Sequence, residues 1–548
     1  MLAVGLVTAS QALAGDFAVD IFVNAAKVAG SLPPIWRFFG ADEPNYATTA
    51  QGEQLLTELG ALRPGQVYFR AHNMMTTGDG TPDFKWGSTN LYTETDGKPV
   101  YDFTIVDHII DTYRARGIHP YLELGFMPEA MTAAPTGVPY RRPWKPGVDY
   151  KGLAAGWSYP PRDYRKWAES IYQWMLHNVE RYGRAEVESW YFETWNEPNL
   201  EFYWQGSAQE FYRLHDYAID AVRRALPHAR VGGPDIAGSG SAFMDGFLRH
   251  ITAETNYATG TVGTPTDFLS FHAKGRPTVA GGHVRMGISE QLKTVDDAFA
   301  KITAFPALAH KPVVIGENDP EGCAACPGPQ NAYRNGTLYS SYTAAVYPRL
   351  WALARRRQVN LEGALTWAFT FVGQPWFAGY RQLATNGVDL PVINAFRLLS
   401  RLGPEQLDAT SSAEVPLDQV LKEGVRGAPD VGVLATRERE GRVRILLWHY
   451  RDDDVPGPPA DVRLSVAPLA SHFTQAQVWR VDREHGDAYS EWVAMGKPAD
   501  PSEQQVMRLV QAAQIRAEPL RLQHGVHEAS ATLELRLPLQ AVDLIEIY

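Results

Sequence analysis

The chain has 548 residues, of which 45% are hydrophobic and 21% charged, and this composition excludes disordered and fibrous proteins. Its 51 lysines and arginines against 62 aspartates and glutamates give a net charge of −11. A surface that binds nucleic acid or an anionic membrane would need a basic cluster to overcome this negative charge, and the sequence has no such cluster. The length allows several domains, and one α/β barrel plus a companion domain fits it.

The N-terminal segment, residues 1–14, is apolar and ends in Ala12-Leu13-Ala14, which is typical of the core and cleavage site of a secretory signal. No lysine or arginine precedes Lys27, so the usual basic start is missing, and the alternative is a chance apolar stretch. The segment is too short to span a bilayer. We interpret residues 1–14 as a signal-peptide remnant and expect a periplasmic or secreted bacterial protein without membrane segments.

From residue 36 onward, short apolar or β-branched runs alternate with amphipathic helical patterns, which indicates β/α units and a parallel sheet. The predicted strands are 36–40, 67–72, 121–126, 190–195, 230–233, 268–272, 313–317 and 364–369. The predicted helices are 51–62, 104–116, 161–182, 207–226, 241–251, 289–303, 337–357 and 391–402. Eight alternations predict a (β/α)8 TIM barrel over residues 15–403.

After about Gly403 the pattern changes to period two, with runs at 431–436, 442–449, 462–466, 476–481 and 531–537. This pattern predicts an accessory β-sandwich domain over residues 404–548. A last strand at 541–548 and an early strand at 17–23 would complete the sandwich. One helical insertion, near 502–514, interrupts it. The fold class is therefore α/β, a barrel with an accessory β-domain.

The only two cysteines, Cys323 and Cys326, form the motif C-A-A-C. A structural zinc site normally takes four protein ligands, and the chain has no second cysteine pair. A thioredoxin-like motif should open a helix, whereas prolines and glycines here indicate a loop. We favour a local disulfide, which fits an exported protein.

Polar residues follow several of the predicted barrel strands, at the end of the barrel where such folds carry their chemistry. They are Arg70, His72 and Asn73 after strand two, Asn196 and Glu197 after strand four, His272 and Lys274 after strand six, Glu317, Asn318 and Asp319 after strand seven, and Trp367 on strand eight.

Residue parity along the strands predicts which side chains face the barrel axis. The pairs Arg70 and His72, Glu193 and Glu197, Ser270 and His272, and Ile315 and Glu317 each share a parity, and we expect all of them to point inward. Buried ionisable groups are costly without a function, so the inward polar set predicts a site. Glu193 lies deeper than Glu197 and is expected to pair with Arg70.

Two carboxylates facing each other across the mouth suit glycoside hydrolysis, in which one protonates the leaving oxygen and the other acts at the anomeric carbon. Glu197 and Glu317 lie on opposite strands and are the expected pair. Asp319 and Glu321 compete with Glu317, but they lie beyond the strand end, where the chain is held less rigidly.

Three segments together resemble glycoside hydrolase family 39, the β-xylosidases and α-L-iduronidases. They are W-Y-F-E-T-W-N-E-P-N at 190–199, D-F-L-S-F-H-A-K-G at 267–275 and I-G-E-N-D-P at 315–320. The resemblance implies a retaining double displacement with Glu197 as acid/base and Glu317 as nucleophile. It also implies that Asn196 contacts the sugar 2-hydroxyl and that His72, His272 and Lys274 line the sugar subsite, to which we add Trp367.

The expected activity is release of xylose from the non-reducing end of short xylo-oligosaccharides. Long loops at 74–92, 128–159 and 320–336 would close a pocket, with Trp86, Trp144 and Trp157 as its walls. An α-L-arabinofuranosidase or an α-L-iduronidase is the alternative, and a uronate would need a cation at C5, for which Lys274 and Arg381 are candidates. Trp376, Phe377 and Tyr380 either wall the aglycone side or pack under their loop.

Two other classes of function remain as alternatives. A non-catalytic carbohydrate-binding protein would have lost Glu197 or Glu317, and both are present. A metal-dependent hydrolase lacks support, because there is no H-E-x-x-H motif and no third ligand beside the two mouth histidines. We therefore expect no metal and no cofactor, and a small oligosaccharide as the only partner. The sequence makes no prediction of an oligomeric state.

Overall fold

The structure, a computed structural model, describes residues 17–148, 150–367, 369–438, 441–525 and 529–548. The expected signal segment, residues 1–14, lies outside these ranges. Among the helices within them, none is both long and apolar enough to cross a membrane.

Eight parallel strands form the predicted barrel. They are Phe38–Ala41, Val67–Ala71, Ile118–Leu124, Tyr191–Thr194, Arg230–Ala237, Phe268–Lys274, Pro312–Asp319 and Asn360–Ala364. The barrel closes where the Thr366 backbone bonds to Phe38 and Gly40 of the first strand, at 3.0 and 3.2 Å. The eighth strand was predicted at 364–369 but begins and ends earlier, because past Ala364 only Thr366 pairs with the first strand.

Twelve α-helices are present in the described part of the chain. In chain order they are α1 Ala50–Leu62, α2 Thr104–Arg114, α3 Tyr164–Tyr182, α4 Arg184–Val187, α5 Ala208–Ala225, α6 Ala242–Ala253, α7 Ile288–Thr303, α8 Thr337–Arg357, α9 Pro391–Ser400, α10 Leu417–Glu423, α11 Ala488–Ala494 and α12 Glu503–Ala512. Helix α3 begins later than predicted because Asp163 caps it, its carboxylate accepting from the backbone N–H groups of Arg165 and Lys166. The sequence prediction missed the short helices α4, α10 and α11.

Side chains fill the barrel interior in layers. The layer at the N-terminal ends of the strands is apolar and mostly aromatic, and consists of Phe38, Tyr68, Tyr121, Tyr191, Phe268, Val314 and Leu365, with Trp367 packed on it and reaching up to His72. Above it, fully buried Arg70 is surrounded by carboxylates. The polar upper layers therefore rest on a packed floor, as expected of a barrel whose chemistry lies at one end.

The seventh strand departs from regular alternation next to Glu317. Its pairing with the sixth strand shifts register between Ile315 and Glu317. Ile315 packs in the core between strands and helices, whereas Val314 belongs to the interior layer, so the prediction that Ile315 faces inward was wrong. Gly316 is required here, since a Cβ at this position would lie 1.9 Å from a carboxylate oxygen of Asp235. The irregularity turns Glu317 inward.

The second domain is the predicted β-sandwich, although hydrogen bonds connect its ten strands in one continuous mixed sheet. In sheet order the strands are Glu518–Leu520, Ala476–Val481, Val542–Ile547, Val443–Tyr450, Asp430–Arg437, Glu405–Ser411, Phe17–Ser31, Ala460–Ala467, Ala531–Leu537 and Gln523–His524. The N-terminal strand pairs antiparallel with Glu405–Ser411 and parallel with Ala460–Ala467, and it is longer than the predicted 17–23. A separate apolar core lies inside this domain.

A buried ion pair joins the barrel to the β-domain. Arg349 of α8 contacts Asp430 at 2.9 Å, and the two side chains are 4% and 0% exposed. Asp430 also accepts from the indole N–H of Trp448 and from the backbone N–H of Val415, at 2.7 and 2.8 Å. The carboxylate is thus fully bonded only while Arg349 is in place.

We expect Arg349→Ala to lower the free energy of unfolding by about 3–5 kcal/mol, because it leaves the Asp430 carboxylate buried without its cation. The matched control is Arg356→Ala on the same helix, whose pair with Asp418 is 39% and 82% exposed. That control should cost less than about 1 kcal/mol. Thermal and urea unfolding followed by circular dichroism measures both, and equal losses would contradict the assignment of Arg349 to the domain interface.

Candidate active site

Glu197 and Glu317 meet at the C-terminal end of the barrel. Glu197 follows the fourth strand with a left-handed backbone (φ 43°), and Glu317 lies on the seventh strand. One carboxylate oxygen of each, together with a ring nitrogen of His272, lie within 4.8 Å of one another. Carboxyl groups of retaining glycosidases are about 5–5.5 Å apart and those of inverting enzymes about 6.5–9.5 Å. An approach this close is compatible with double displacement.

Glu317 is contacted by two cations, Lys274 and His272, and by His72. Burial lowers the pKa of His72 to about 4, so its ring is neutral. Lys274 Nζ lies 2.5 Å from its Oε2, and ring nitrogens of His72 and His272 lie at 3.5 and 3.7 Å. Burial acts to raise the pKa of Glu317, but His272, Lys274 and His72 outweigh it and hold the pKa well below its ordinary value. Glu317 is therefore ionised, as a nucleophile must be.

His272 bridges two carboxylates on opposite sides of its ring. Its Nδ1 lies 2.8 Å from Glu197 Oε1, and its Nε2 lies 2.8 Å from Asp235 Oδ2. Burial acts to lower the pKa of His272, but Asp235 and Glu317 raise it to about 10. In this arrangement His272 orients Glu197 and offers the sugar no free nitrogen.

The three groups Glu197, His272 and Glu317 are close enough together to hold a metal ion. In the structure both ring nitrogens of His272 are already engaged, by Glu197 and Asp235, and Lys274 contacts Glu317. Ion pairing within the protein accounts for this cluster.

Arg70 lies beneath the two glutamates and confirms the expected pairing with Glu193. Its guanidinium contacts Glu193 at 2.8 Å, Glu123 at 2.9 Å and Asp235 at 2.6 Å. Burial and the neighbouring Asp235 raise the pKa of Glu193 to about 8, and burial raises the pKa of Glu123 well above its usual range. The sequence prediction missed Glu123 and Asp235, although Glu123 has the inward parity of its strand.

Asn196 and His72 have buried polar atoms without hydrogen-bond partners among the described residues. The Asn196 carbonyl accepts from Arg70 at 3.1 Å, while its Nδ2 has no acceptor. Neither ring nitrogen of His72 makes a hydrogen bond, and its ring packs on Trp367 with centroids 4.2 Å apart. Because unpaired buried polar groups are rare, these atoms point to a ligand with its own donors and acceptors.

The two competitors of Glu317 are held in ion pairs. Asp319 contacts Lys274 at 2.5 Å and Arg381 at 2.8 Å. Glu321 contacts Arg334 at 2.8 Å and Arg381 at 2.7 Å. Burial would raise the pKa of Glu321, but Arg334 and Arg381 lower it to about 2. Both carboxylates are engaged by arginine or lysine side chains and stabilise the loop behind Glu317.

A cavity of about 670 Å³ opens beside Glu197 and Lys274. The expected disulfide between Cys323 and Cys326 is present and lines this cavity. The other walls include Leu200, Phe202, Arg276, Glu290, Gln330 and Asn331. The cavity is of the size that holds a leaving group, on the Glu197 side of the two carboxylates.

The predicted aromatic walls divide into two groups. Trp157 is 1% exposed and packs on Phe126, so it is part of the core and the expectation of a pocket wall was wrong. Trp86 and Trp144 are half-buried above the site. In the loop after strand eight, Phe377 packs against Trp492 of α11, which favours the packing alternative for that residue.

Comparison with known proteins agrees with this geometry. The profile of glycosyl hydrolases family 39 matches residues 19–524. A β-xylosidase of Geobacillus stearothermophilus is 29% identical over 511 residues, covering 88% of this chain and 86% of its own. A human α-L-iduronidase is 27% identical over 446 residues, covering 74% and 63%.

Solved structures show the same fold. The crystal structure of a monomeric β-xylosidase from Caulobacter crescentus superposes with a TM-score of 0.71 at 23% identity, covering 96% of this chain and 99% of that one. The match of the family profile spans both the barrel and most of the β-domain. The chain is therefore a glycoside hydrolase and belongs to glycosyl hydrolases family 39.

Proposed function

We propose that this protein is a retaining, exo-acting β-D-xylosidase with Glu317 as nucleophile and Glu197 as acid/base. The observation that carries the proposal is the approach of the two carboxylates to within 4.8 Å, with Glu317 among cations and Glu197 beside the open cavity. Two bacterial β-xylosidases, 29% and 25% identical to this chain, support the choice of substrate.

In the first step the Glu317 carboxylate forms a bond to the anomeric carbon as the bond to the leaving oxygen breaks. Glu197 gives its proton to that oxygen. In the second step a water attacks the anomeric carbon, its proton goes to Glu197, and Glu317 is released as a carboxylate. Asn196 Nδ2 is the donor available to the 2-hydroxyl, where a hydrogen bond strengthens in the transition state. His72, Lys274 and Trp367 complete the sugar subsite.

Xylose is favoured over a uronate because both cations expected to bind a C5 carboxylate are already paired with carboxylates of the protein. Lys274 contacts Glu317 and Asp319, both at 2.5 Å. Arg381 is fully buried and contacts Asp319 and Glu321. A uronate carboxylate would have to displace one of these bonds or remain unpaired, and both are costly.

The Cys323–Cys326 disulfide supports a further proposal, that the protein works in the periplasm or outside the cell, since disulfides persist in oxidising compartments. Fractionation of the native host with an antibody to the protein tests it. Recovery in the cytosol alone would refute export.

A panel of aryl glycosides tests the proposed substrate. We expect the highest kcat/KM on the β-D-xyloside, with about 1–3 kcal/mol lost on a β-glucoside through the added C5 substituent. The α-L-arabinofuranoside and α-L-iduronide are measured at the same pH. A preference for the iduronide would assign the protein to the other activity, and failure on every glycoside would refute a catalytic role.

For the nucleophile, we expect Glu317→Ala to lower kcat by about 10⁴- to 10⁶-fold on every substrate, because no glycosyl-enzyme can form. A 2-fluoro-xyloside inactivator should label Glu317 in the wild-type protein, as mapped by peptide mass spectrometry. A label on Asp319 or Glu321 would contradict the assignment.

For the acid/base, we expect Glu197→Ala to lose about 10²- to 10⁴-fold on xylobiose and far less on an activated aryl xyloside, since only the poor leaving group needs a proton. Azide should restore turnover of the aryl substrate and yield a β-xylosyl azide. Glu201→Ala, an exposed carboxylate in the same loop, is the control and should leave both rates unchanged. Equal losses on both substrates without azide rescue would remove Glu197 from this role.

A further inference from the structure

Lys85 is an almost completely buried lysine in the loop after the second barrel strand. Its side chain is 3% exposed, and its Nζ lies 3.6 Å from Asp42 Oδ1, which is too far for a hydrogen bond. No other described residue accepts a hydrogen bond from this ammonium. A mostly buried ammonium whose three donors have no acceptor among the described residues is available to bind a ligand.

Groups next to Lys85 also have nitrogens without a hydrogen-bond partner. Its ammonium lies 5.5 Å from the ring of Trp144, whose indole N–H is buried and has no acceptor among the described residues. On the other side of Asp42, the Nδ1 of His72 has no hydrogen-bond partner among the described residues. The Asp42 carboxylate itself accepts, within the described part of the chain, a hydrogen bond from the indole of Trp367 at 3.2 Å. Three nitrogens without protein acceptors, from Lys85, Trp144 and His72, are thus grouped on one side of the site, which points to a ligand there.

His72 places this cluster relative to the reacting atoms. Its Nε2 lies 3.5 Å from Glu317, and its Nδ1 lies 3.9 Å from Asp42. Glu317 and Asp42 are therefore at opposite edges of one imidazole ring. If a pyranose places its anomeric carbon at Glu317 and lies along this ring, its far side, with the hydroxyls on C3 and C4, is directed toward Asp42 and Lys85.

The pairing of an ammonium with a carboxylate selects the kind of group that binds there. A hydroxyl can accept from Lys85 and donate to Asp42 at the same time. A carboxylate could only accept, and its charge would repel Asp42. The cluster therefore suits an uncharged sugar hydroxyl.

We propose that Lys85, together with Asp42, binds the C3 or C4 hydroxyl of the glycone and thereby determines recognition of the non-reducing end. This inference rests on the proposed glycosidase function and deepens it. A sugar hydroxyl that donates to Asp42 is free and not glycosidically linked, so this contact selects the terminal sugar of a chain. Exo action is then a consequence of the same contact.

The test combines removal of the lysine with removal of the hydroxyl. We measure kcat/KM of the wild type and of Lys85→Met on aryl β-D-xyloside and on its 3-deoxy and 4-deoxy analogues. Lys85→Met should lose about 10- to 100-fold on the parent substrate, as expected for a hydrogen bond to a charged group. On one of the two deoxy analogues the variant and the wild type should differ by less than about threefold, because the contact is absent from both.

Controls separate a binding contact from a structural role. Lys98→Met, an exposed lysine farther along the same loop, should behave as wild type on all three substrates. Lys85→Gln serves as a second variant if Lys85→Met does not fold, as judged by its melting temperature. Equal losses on the parent and both deoxy substrates would refute the contact. A larger loss on a β-glucuronide than on the xyloside would also refute it, since the partner would then be a carboxylate. Wild-type protein inactive on every glycoside would instead refute the proposed function.

Discussion

The buried guanidinium of Arg70 is the interaction on which the rest of the site depends. It is fully buried beneath the mouth of the barrel and contacts carboxylates from three other strands, Glu123, Glu193 and Asp235, within 2.9 Å. One cation cannot balance three anions. Burial accordingly raises the pKa of Glu123 and Glu193. Burial also acts to raise the pKa of Asp235, but Arg70 and His272 outweigh it and keep that pKa below its ordinary value. The interior stays close to neutral because it retains protons.

The charges around Arg70 determine the charge of the groups above it. Ionised Asp235 keeps His272 protonated, and His272 in turn holds Glu197 at 2.8 Å while its charge favours the ionised form of Glu317. Two chemically identical glutamates thus acquire different surroundings. Glu317 contacts two cations, Lys274 and His272, whereas Glu197 contacts His272 alone and lies beside the cavity, 14% exposed. This difference in surroundings supports the roles proposed for the two glutamates.

The outer parts of the molecule stabilise the mouth loops. Arg381 and Arg334 bind Glu321, and Arg334 also donates to the backbone carbonyls of Cys323 and Cys326, so the disulfide loop is fixed on both sides. The β-domain contributes α11, whose Trp492 packs on Phe377 with centroids 5.0 Å apart. The ion pair between Arg349 and Asp430 anchors that domain to the barrel. The accessory domain therefore supports the loop that carries Arg381.

The sequence by itself determined the eight β/α units, the β-rich tail and the pairing of Glu197 with Glu317, because hydrophobic periodicity and motif order are local properties. It also identified Glu193 as the partner of Arg70 from parity and depth along the strands. Only the tertiary structure decided the rest. The register shift between Ile315 and Glu317 turns Ile315 away from the barrel axis, and Asp235 of another strand leaves no room for a Cβ at Gly316. Lys85 and Asp42 are distant in sequence and meet only through loop packing. The charge and the burial of each side chain depend on neighbours that folding brings together, and no local pattern in the sequence reveals them.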